Sequence, residues 1–325
     1  MKLSLFPFAA LLLCGCRPYA DFTLPALDGK PAAVSPKWEV RPQPVLTRGN
    51  DVDALNPSVV RHESKLYNLF SVYDGKTWHT AMATSSDGMN WTRHGIVLSP
   101  SPATWEGDYI AANGSVLYSG KAFFYWYQGN RVPRIGLATS LDARAWNKQP
   151  TPVLEPGPAG SWDELGVADP YVIQLGGDFY MYYLGQDRAK RQRLGVARSS
   201  DGLHWEKLRS NPILDLGAAN TFDEIGLGEP AVWKSHGSYW MLYTGRDRAE
   251  NRRLGLARSQ DGVKWQRLSD SPTLSGDQPW DSKVVCDPTV EVSGDLVHVW
   301  FGGGDSPQPA ENLLGQIGYA LLTLK

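Results

Sequence analysis

Cysteine is scarce in this sequence, with three among 325 residues. Cys14 and Cys16 fall together near the N-terminus, and Cys286 stands alone in the rest of the chain. The main part of the chain therefore has no second thiol for an intrachain disulfide. Cys286 lies in an apolar, strand-like stretch, where a small buried core residue is its expected role.

An excess of one charge is also lacking. Lys and Arg total 32 against 34 Asp and Glu, which gives a net charge of −2. Nothing in this balance favours a nucleic-acid partner. The six histidines do not fall at metal-ligand spacings, and the sequence has no phosphate loop, nucleotide fingerprint or Ser-His-Asp order. We therefore expect no nucleic-acid partner, no metal and no cofactor.

Long hydrophobic runs are absent except at the N-terminus, where Lys2 precedes the apolar stretch Leu3–Leu13. This stretch is too short to span a bilayer and is typical of a signal peptide. It ends in Leu-Cys-Gly-Cys, which resembles a bacterial lipobox. We therefore predict a lipoprotein signal peptide at residues 1–16 and lipidation of Cys16, with a plain secretory signal as the alternative.

Both alternatives, a lipoprotein signal peptide and a plain secretory signal, predict export of the mature chain. The lipobox predicts a bacterial lipoprotein, anchored to a membrane that faces the periplasm or the cell exterior and attached to that membrane through its lipid only. Residues 17–36 are rich in Pro and Ala and lack periodicity. They predict a flexible tether ahead of one domain at residues 37–325.

Glycine and aromatic residues are plentiful, with 33 Gly, 13 Trp and 14 Tyr, which is typical of a turn-rich β protein. The stretch Gly166–Gly185, GVADPYVIQLGGDFYMYYLG, reads as a strand, a Gly-Gly-Asp turn and a second strand. Four related stretches occur elsewhere, and aligning all five gives equivalent positions 56 to 60 residues apart: Asn56, Asn113, Asp169, Glu229 and Asp287. Five copies at this period predict a repeat architecture.

Each repeat contains four strand-like segments, and the third and fourth are joined by turns such as Ser199–Trp205, SSDGLHW. Asp-Gly supplies the positive φ that tight hairpins need. The fifth repeat lacks its fourth segment, but Trp38–Leu46 near the N-terminus has the same layout. We therefore predict an all-β, five-bladed β-propeller whose N-terminal strand completes the last blade and removes an exposed edge.

In such a propeller the five equivalent residues converge around one mouth of the central channel. Asn56 and Asn113 are expected to hydrogen-bond substrate or to form turns. Loops that lead to the same mouth carry five further candidate substrate-binding residues: Asp108, Trp162, Arg188, Arg248 and Trp280. Tryptophan suits the apolar face of a sugar ring, and arginine pairs with carboxylates. The expected partner is thus an oligo- or polysaccharide, with an acidic glycan as one alternative. The other alternative is that these tryptophans pack the blades and the arginines pair with neighbouring acids.

Asp169, Glu229 and Asp287 are the acidic members of the ring. Carboxylates that share a partly enclosed pocket repel one another, so at least one pKa should rise. A carboxylic acid with a raised pKa beside an ionised carboxylate is the pair that glycoside cleavage uses. An Asp or Glu before Pro can also simply cap a repeat turn, which is the structural alternative.

The architecture and these motifs resemble the five-bladed propeller glycosidases, both the arabinanase/β-xylosidase-like and the invertase/levansucrase-like groups. In the arabinanase-like enzymes, blades one, three and four carry the base, an Asp that modulates the pKa, and a Glu that acts as general acid. The resemblance implies that Asp169-Pro170 supplies the modulator and Glu229-Pro230 the general acid.

Blade one departs from that pattern, because Asn56-Pro57 stands where the base would be, and a neutral Asn cannot accept a proton from water. Asn-Pro in blade one is more similar to the β-mannoside phosphorylase-like propellers. Those carry Glu-Asp-Pro-Arg in blade two, where this chain has Ala-Asn-Gly-Ser at residues 112–115. Candidates for the base are Asp51, Asp53, Asp108 and Asp287, and the equivalent position in blade five favours Asp287.

The sequence thus predicts an exported, glycan-active protein, a glycoside hydrolase with Glu229 as general acid, Asp169 as pKa modulator and Asp287 as candidate base. Three alternatives stay open. One is a glycan-binding propeller that lost its base at Asn56, and another is a phosphate-dependent glycoside phosphorylase. The third is a scaffold propeller with a protein partner. The sequence does not predict an oligomeric state.

Overall fold

The computed structural model of the chain describes residues 19–324. The predicted signal peptide at residues 1–16, with the lipidation site at Cys16, lies outside the described residues. Between residues 19 and 324 the regular structure is β-strand, apart from one 3₁₀ turn at Pro279–Asp281. No helix in that range is long and apolar enough to cross a membrane.

Two short strands precede the repeats, and the first two blades follow them with four strands each. In chain order these strands are β1 (Tyr19–Ala20), β2 (Pro36–Val40), β3 (Asp53–His62), β4 (Lys65–Tyr73), β5 (Trp78–Ser85), β6 (Thr92–Leu98), β7 (Ala111–Ser119), β8 (Ala122–Gly129), β9 (Arg134–Ser140) and β10 (Asn147–Lys148).

Blades three and four repeat the pattern, and blade five ends with the chain. Their strands are β11 (Gly166–Leu175), β12 (Asp178–Gln186), β13 (Gln192–Ser199), β14 (Glu206–Leu208), β15 (Gly226–Ser235), β16 (Ser238–Arg246), β17 (Arg252–Ser259), β18 (Trp265–Arg267), β19 (Val284–Ser293), β20 (Leu296–Gly304) and β21 (Gln316–Leu324).

The blades are antiparallel sheets arranged around a central channel. Each runs from an inner strand outward, as in the order β3-β4-β5-β6. The inner strands contact one another in a closed cycle, from β3 through β7, β11, β15 and β19 back to β3. This cycle confirms the five-bladed propeller that the repeats predict.

The N-terminal strand completes the last blade. β2 pairs antiparallel with β21, with Trp38 opposite Leu322, and an isolated bridge joins Leu46 to Ile317. The Trp38 indole also donates a hydrogen bond to the Thr273 hydroxyl at 3.1 Å. The segment Trp38–Leu46 therefore lies in the same blade as β21, as the missing segment of the fifth repeat predicts.

Aromatic residues of the second strands of blades two and five hydrogen-bond to the turn of the next blade. Trp126 donates its indole hydrogen to the carbonyl of Gly202 at 2.9 Å, and Trp300 reaches Gly88 in the same way at 2.7 Å. Gly88 and Gly202 have φ of 75° and 76°, and a Cβ at Gly202 would lie 2.9 Å from the Trp126 ring. The Asp-Gly turns therefore need glycine for both their φ and this close contact.

The structure corrects the flexible tether predicted at residues 17–36, because the described part of this segment packs on the propeller. β1 pairs with β14. Leu24 is 3% exposed and donates its backbone N–H to the Asp261 carbonyl at 2.9 Å. Tyr239 donates its hydroxyl to the Pro25 carbonyl at 2.6 Å. Burial of apolar side chains from this segment, which we call the strap (residues 19–35), holds it against blades three and four.

Candidate active site at the mouth of the central channel

The five equivalent positions share one unusual backbone conformation. Their φ angles lie between 44° and 53°: Asn56, Asn113, Asp169, Glu229 and Asp287. At each of them the inner strand slips out of register with its neighbour. Left-handed backbone at a residue other than glycine costs of order 1–3 kcal/mol and clusters at functional sites. The bulge and the left-handed turn present all five residues to the channel.

These residues line a cavity of about 210 Å³ at the mouth of the channel. Its upper wall is formed by the ends of the strands and by the loop that carries Pro309 and Leu313. A space of about 30 Å³ lies below the five residues. It is lined by the prolines that follow four of them: Pro57, Pro170, Pro230 and Pro288. The cavity is therefore a pocket that narrows sharply at its floor.

Asp287 is buried at the boundary between blades five and one. Its carboxylate accepts hydrogen bonds from the Asn56 amide nitrogen at 2.7 Å, the Asn56 backbone N–H at 3.1 Å and the Cys286 thiol at 3.0 Å. Burial, followed by the charge of Glu229, raises the pKa of Asp287 to about 7, while Arg252 and the hydrogen bonds act in the opposite direction. Asp287 thus titrates near neutral pH while three donors favour its ionised form.

Among residues 19–324, one side chain donates to Asp169. The Asn113 amide donates to its carboxylate at 3.3 Å, and the Ser71 hydroxyl in turn donates to the Asn113 carbonyl oxygen at 2.9 Å. Burial raises the pKa of Asp169 well above its ordinary value, and the charges of Glu229 and Asp287 raise it further. Burial and the two neighbouring carboxylates therefore favour the protonated form of Asp169.

Glu229 acts on both aspartates, because its negative charge raises the pKa of Asp169 and that of Asp287. Its Oε2 atom is buried and has no hydrogen-bond partner in the described chain. A buried carboxylate oxygen without a partner is costly in a folded protein. The three acids thus behave as one coupled cluster, as their convergence predicts, with a free acceptor on Glu229.

Two arginines that are not among the predicted site residues also line the cavity. Arg246 ends β16 and donates to the Gln192 side-chain oxygen at 2.8 Å. Arg252 begins β17 and donates to the carbonyls of Gln308 and Pro309, each at 2.9 Å. These residues stand at strand ends, whereas the predicted arginines stand at the loop tips. Their facing positions, at the end of the second strand and the start of the third strand of the repeat, could have identified them from the sequence.

The three charged residues among the predicted substrate ligands lie outside the cavity lining. Arg188 forms an ion pair with Glu164 at 3.0 Å, and Arg248 forms the equivalent pair with Glu224 at 3.0 Å. The side chain of Asp108 is 71% exposed at the surface. The structure therefore gives the two arginines the alternative role, that of pairing with neighbouring acids.

The two predicted tryptophans pack within blades. Trp162 lies 5.5 Å from the Tyr183 ring, and Trp280 stacks on Phe301 at 6.1 Å. Neither lines the cavity. Asn56 and Asn113 do line it, but their amides hold the two aspartates. No group of His, Cys, Asp or Glu side chains between residues 19 and 324 is arranged to hold a metal ion.

The comparisons with known proteins agree with this geometry. Residues 110–324 match the model of glycoside hydrolase family 130, described as beta-1,4-mannooligosaccharide phosphorylase. The chain belongs to glycoside hydrolase family 130. A 1,2-beta-oligomannan phosphorylase of Thermoanaerobacter sp. (strain X514) is 33% identical over 126 residues, which cover 36% of this chain and 41% of that protein. The family-130 chain is thus a propeller of a hydrolase and phosphorylase family that acts on glycans.

Solved structures show the same fold. A β-1,2-mannobiose phosphorylase from Listeria innocua matches with a TM-score of 0.68 and 14% identity, over 91% of this chain and 93% of that one. A thermostable family-43 glycoside hydrolase matches with a TM-score of 0.63 and 18% identity, over 83% of this chain and 88% of that one. The resemblance to five-bladed propeller glycosidases and to mannoside phosphorylase-like propellers is confirmed.

Proposed function

We propose that the protein is a glycoside hydrolase whose reaction takes place among the three acids of the channel mouth. The observation that carries this proposal is the coupled cluster itself. Glu229 raises the pKa of Asp169 and of Asp287, and all three line the same cavity. Glycoside cleavage needs one acid that protonates the leaving oxygen and one carboxylate on the other side of the bond.

Glu229 is proposed as the general acid. Its buried Oε2 has no partner among the described residues, so the protonated carboxyl could donate to the glycosidic oxygen of a bound sugar, which the ionised form cannot do. The phosphorylase-like propellers that this chain resembles carry their blade-two acid where Asn113 stands here, and an amide cannot donate a catalytic proton. Blade four then supplies the acid.

Asp287 is proposed as the base that acts on water or on the sugar. Three donors point at its carboxylate, and hydrogen bonds to the charged form favour that form. The Asn56 amide, which stands where arabinanase-like enzymes carry the base, orients this carboxylate. Asp169 is proposed as the modulator, because its carboxyl interacts electrostatically with that of Glu229 and lines the same cavity.

Phosphorolysis is the second candidate, and the family match favours it. The two reactions differ in their acceptor, so incubation with gluco-, manno- and uronic oligosaccharides, with and without phosphate, separates them. Hydrolysis releases free sugar without phosphate, while phosphorolysis yields a sugar 1-phosphate and stops when phosphate is removed. A phosphate requirement would overturn the hydrolase proposal.

The roles are tested by amide variants. Glu229→Gln should lower kcat by at least about 100-fold, the usual contribution of a general acid. Glu63→Gln, at a residue whose side chain is 83% exposed, is the matched control. If Glu229→Gln keeps activity while folding normally, blade four does not supply the acid. If wild type releases no product but binds glycans, the protein is a glycan-binding propeller.

We also propose that the protein is exported and carries a lipid on Cys16. The proposal rests on the apolar stretch Leu3–Leu13 and the Leu-Cys-Gly-Cys ending. Labelling of cells with a fatty-acid analogue should mark the wild type and leave Cys16→Ser unmarked. An unlabelled wild type that is nevertheless processed and exported would support the plain secretory signal instead.

A further inference from the structure

The cationic wall of the cavity is a cross-strand pair. Arg246 on β16 lies directly opposite Arg252 on β17, and both line the cavity. Their guanidinium groups approach one carbonyl, that of Pro309, at 3.5 Å from Arg246 and 2.9 Å from Arg252. Like charges directly opposite each other on neighbouring strands destabilise a sheet. The stability of the sheet therefore does not explain why both positions are arginine.

Other blades fill the same two positions with neutral side chains. Blade three has Gln186 opposite Gln192. Blade one has Tyr73 opposite Trp78, and these rings stack with centroids 5.1 Å apart. The propeller therefore forms without charge at this position, and the arginine pair of blade four is not a requirement of the repeat.

The pair keeps two donors free. Nε of Arg246 and Nη1 of Arg252 are buried and have no hydrogen-bond partner in the described chain. Burial lowers the pKa of Arg246 although Glu250 and Glu229 act against this. Glu250 lies 3.3 Å from Nη1 of Arg246, on the side away from the free Nε. Two desolvated guanidinium donors on one cavity wall are matched by an acceptor that carries negative charge.

We infer that Arg246 and Arg252 form a subsite for the carboxylate of an acidic sugar, which makes uronic acid glycans the substrate class. This inference rests on the proposed glycosidase function. A carboxylate offers two oxygens to two donors and brings one negative charge into a cavity that already holds three acids. A phosphate group brings a charge of about −1.5 to −2, which the same acids repel more strongly.

The test compares sugars that differ only at the carboxylate. Glucuronate, galacturonate and mannuronate are paired with glucose, galactose and mannose, and uronic oligosaccharides are paired with their carboxyl-reduced forms. Binding is measured by calorimetry on the full chain carrying Glu229→Gln, so that turnover does not interfere. Kinetics are measured on the chain with Glu229 intact.

The variants are Arg246→Gln and Arg252→Gln, which together recreate the pair found in blade three. Arg248→Gln, in the same loop but paired with Glu224 outside the cavity, is the matched control. Each cavity variant should weaken binding of the acidic sugar and raise its KM by about 10- to 100-fold, as expected for loss of a hydrogen bond to a charged group. The neutral partners and the control should change less than about twofold.

The outcomes separate this inference from the proposed function. Equal losses for acidic and reduced glycans, or no loss, would overturn the carboxylate subsite and leave the hydrolase proposal standing. Arginine-dependent binding of acidic sugars without any hydrolysis would support the subsite and overturn the hydrolase proposal. Cleavage that requires phosphate, with phosphate binding lost in Arg246→Gln, would overturn both. Arg246→Lys provides the same comparison if the glutamine variant does not fold.

Discussion

Replacing Glu229 by Gln should make the protein more stable at alkaline pH while it removes activity. Burial and the Glu229 charge raise the pKa of Asp287 from 3.8 to about 7. Between these two pH values the native state holds a proton that the unfolded chain has already lost. The free energy of unfolding therefore falls as pH rises through this window.

The size of this loss follows from the shift. About three pH units at about 1.4 kcal/mol each give about 4 kcal/mol, fully lost above the native pKa. Glu229 accounts for part of it; at an assumed separation of about 6 to 8 Å and an effective dielectric constant of about 20, two like charges repel by about 2–3 kcal/mol. Asp169 should add to the gain in stability of Glu229→Gln at alkaline pH, because the Glu229 charge also raises the pKa of Asp169.

The assay is chemical denaturation of wild type and Glu229→Gln at pH 4 and pH 8.5. Burying an uncharged amide has a similar effect at both pH values, so the difference between the two conditions isolates the carboxylates. We expect a gain of about 2–3 kcal/mol at pH 8.5 relative to pH 4. Glu63→Gln, on an exposed side chain, should show no such gain. If Glu229→Gln shifts stability equally at both pH values, Glu229 does not set the pKa of the aspartates and the reasoning fails.

Three further predictions concern the base and the strap. Activity measured as kcat/KM should rise as pH increases through about 7, because Asp287 must lose its proton to act; a flat profile from pH 5 to 9 would rule it out as the base. Asn56→Gly keeps the positive φ of 48° but removes the 2.7 Å amide bond to Asp287, so the midpoint of that rise should move up by about one unit. An unchanged midpoint would show that the amide does not tune Asp287. Leu24→Ala should lower the free energy of unfolding in urea by about 2–4 kcal/mol, whereas Leu165→Ala, at a residue 39% exposed, should change it by less than about 1 kcal/mol. Equal effects would mean that the strap contributes nothing to the propeller.

The fold could be predicted almost completely from the sequence. Its repeats carry their own turn chemistry, such as Asp-Gly before a Trp, so strand order followed from alignment of the copies. Even the closure by Trp38–Leu46 followed, because one repeat lacked a strand that the N-terminus supplied. The strap was harder to predict, because Leu24 and Phe22 are isolated apolar residues in a Pro-rich stretch without periodicity. Their burial depends on grooves that the folded blades create.

The site was predicted in part. Inner-strand acids could be located because their positions repeat, and the left-handed bulge carries them to the channel in every blade. Arg188 and Arg248 were selected because they match each other by repeat, whereas Arg246 and Arg252, which line the cavity, differ from their equivalents. A residue that departs from the repeat is easily overlooked in an alignment of the copies. Pairing of Arg188 with a neighbouring acid was an expected alternative, but the choice of Glu164 among the nearby acids depends on loop geometry that the sequence does not specify.

The pairing of β2 with β21 has a consequence for folding. These two strands are separated by most of the described chain, so blade five gains its outermost strand only when two distant segments meet. Blade five carries Asp287, whose carboxylate accepts two hydrogen bonds from Asn56 of blade one. The seam between the last and first blades therefore both closes the ring and fixes one acid of the cavity, so damage to β2 would be felt at Asp287.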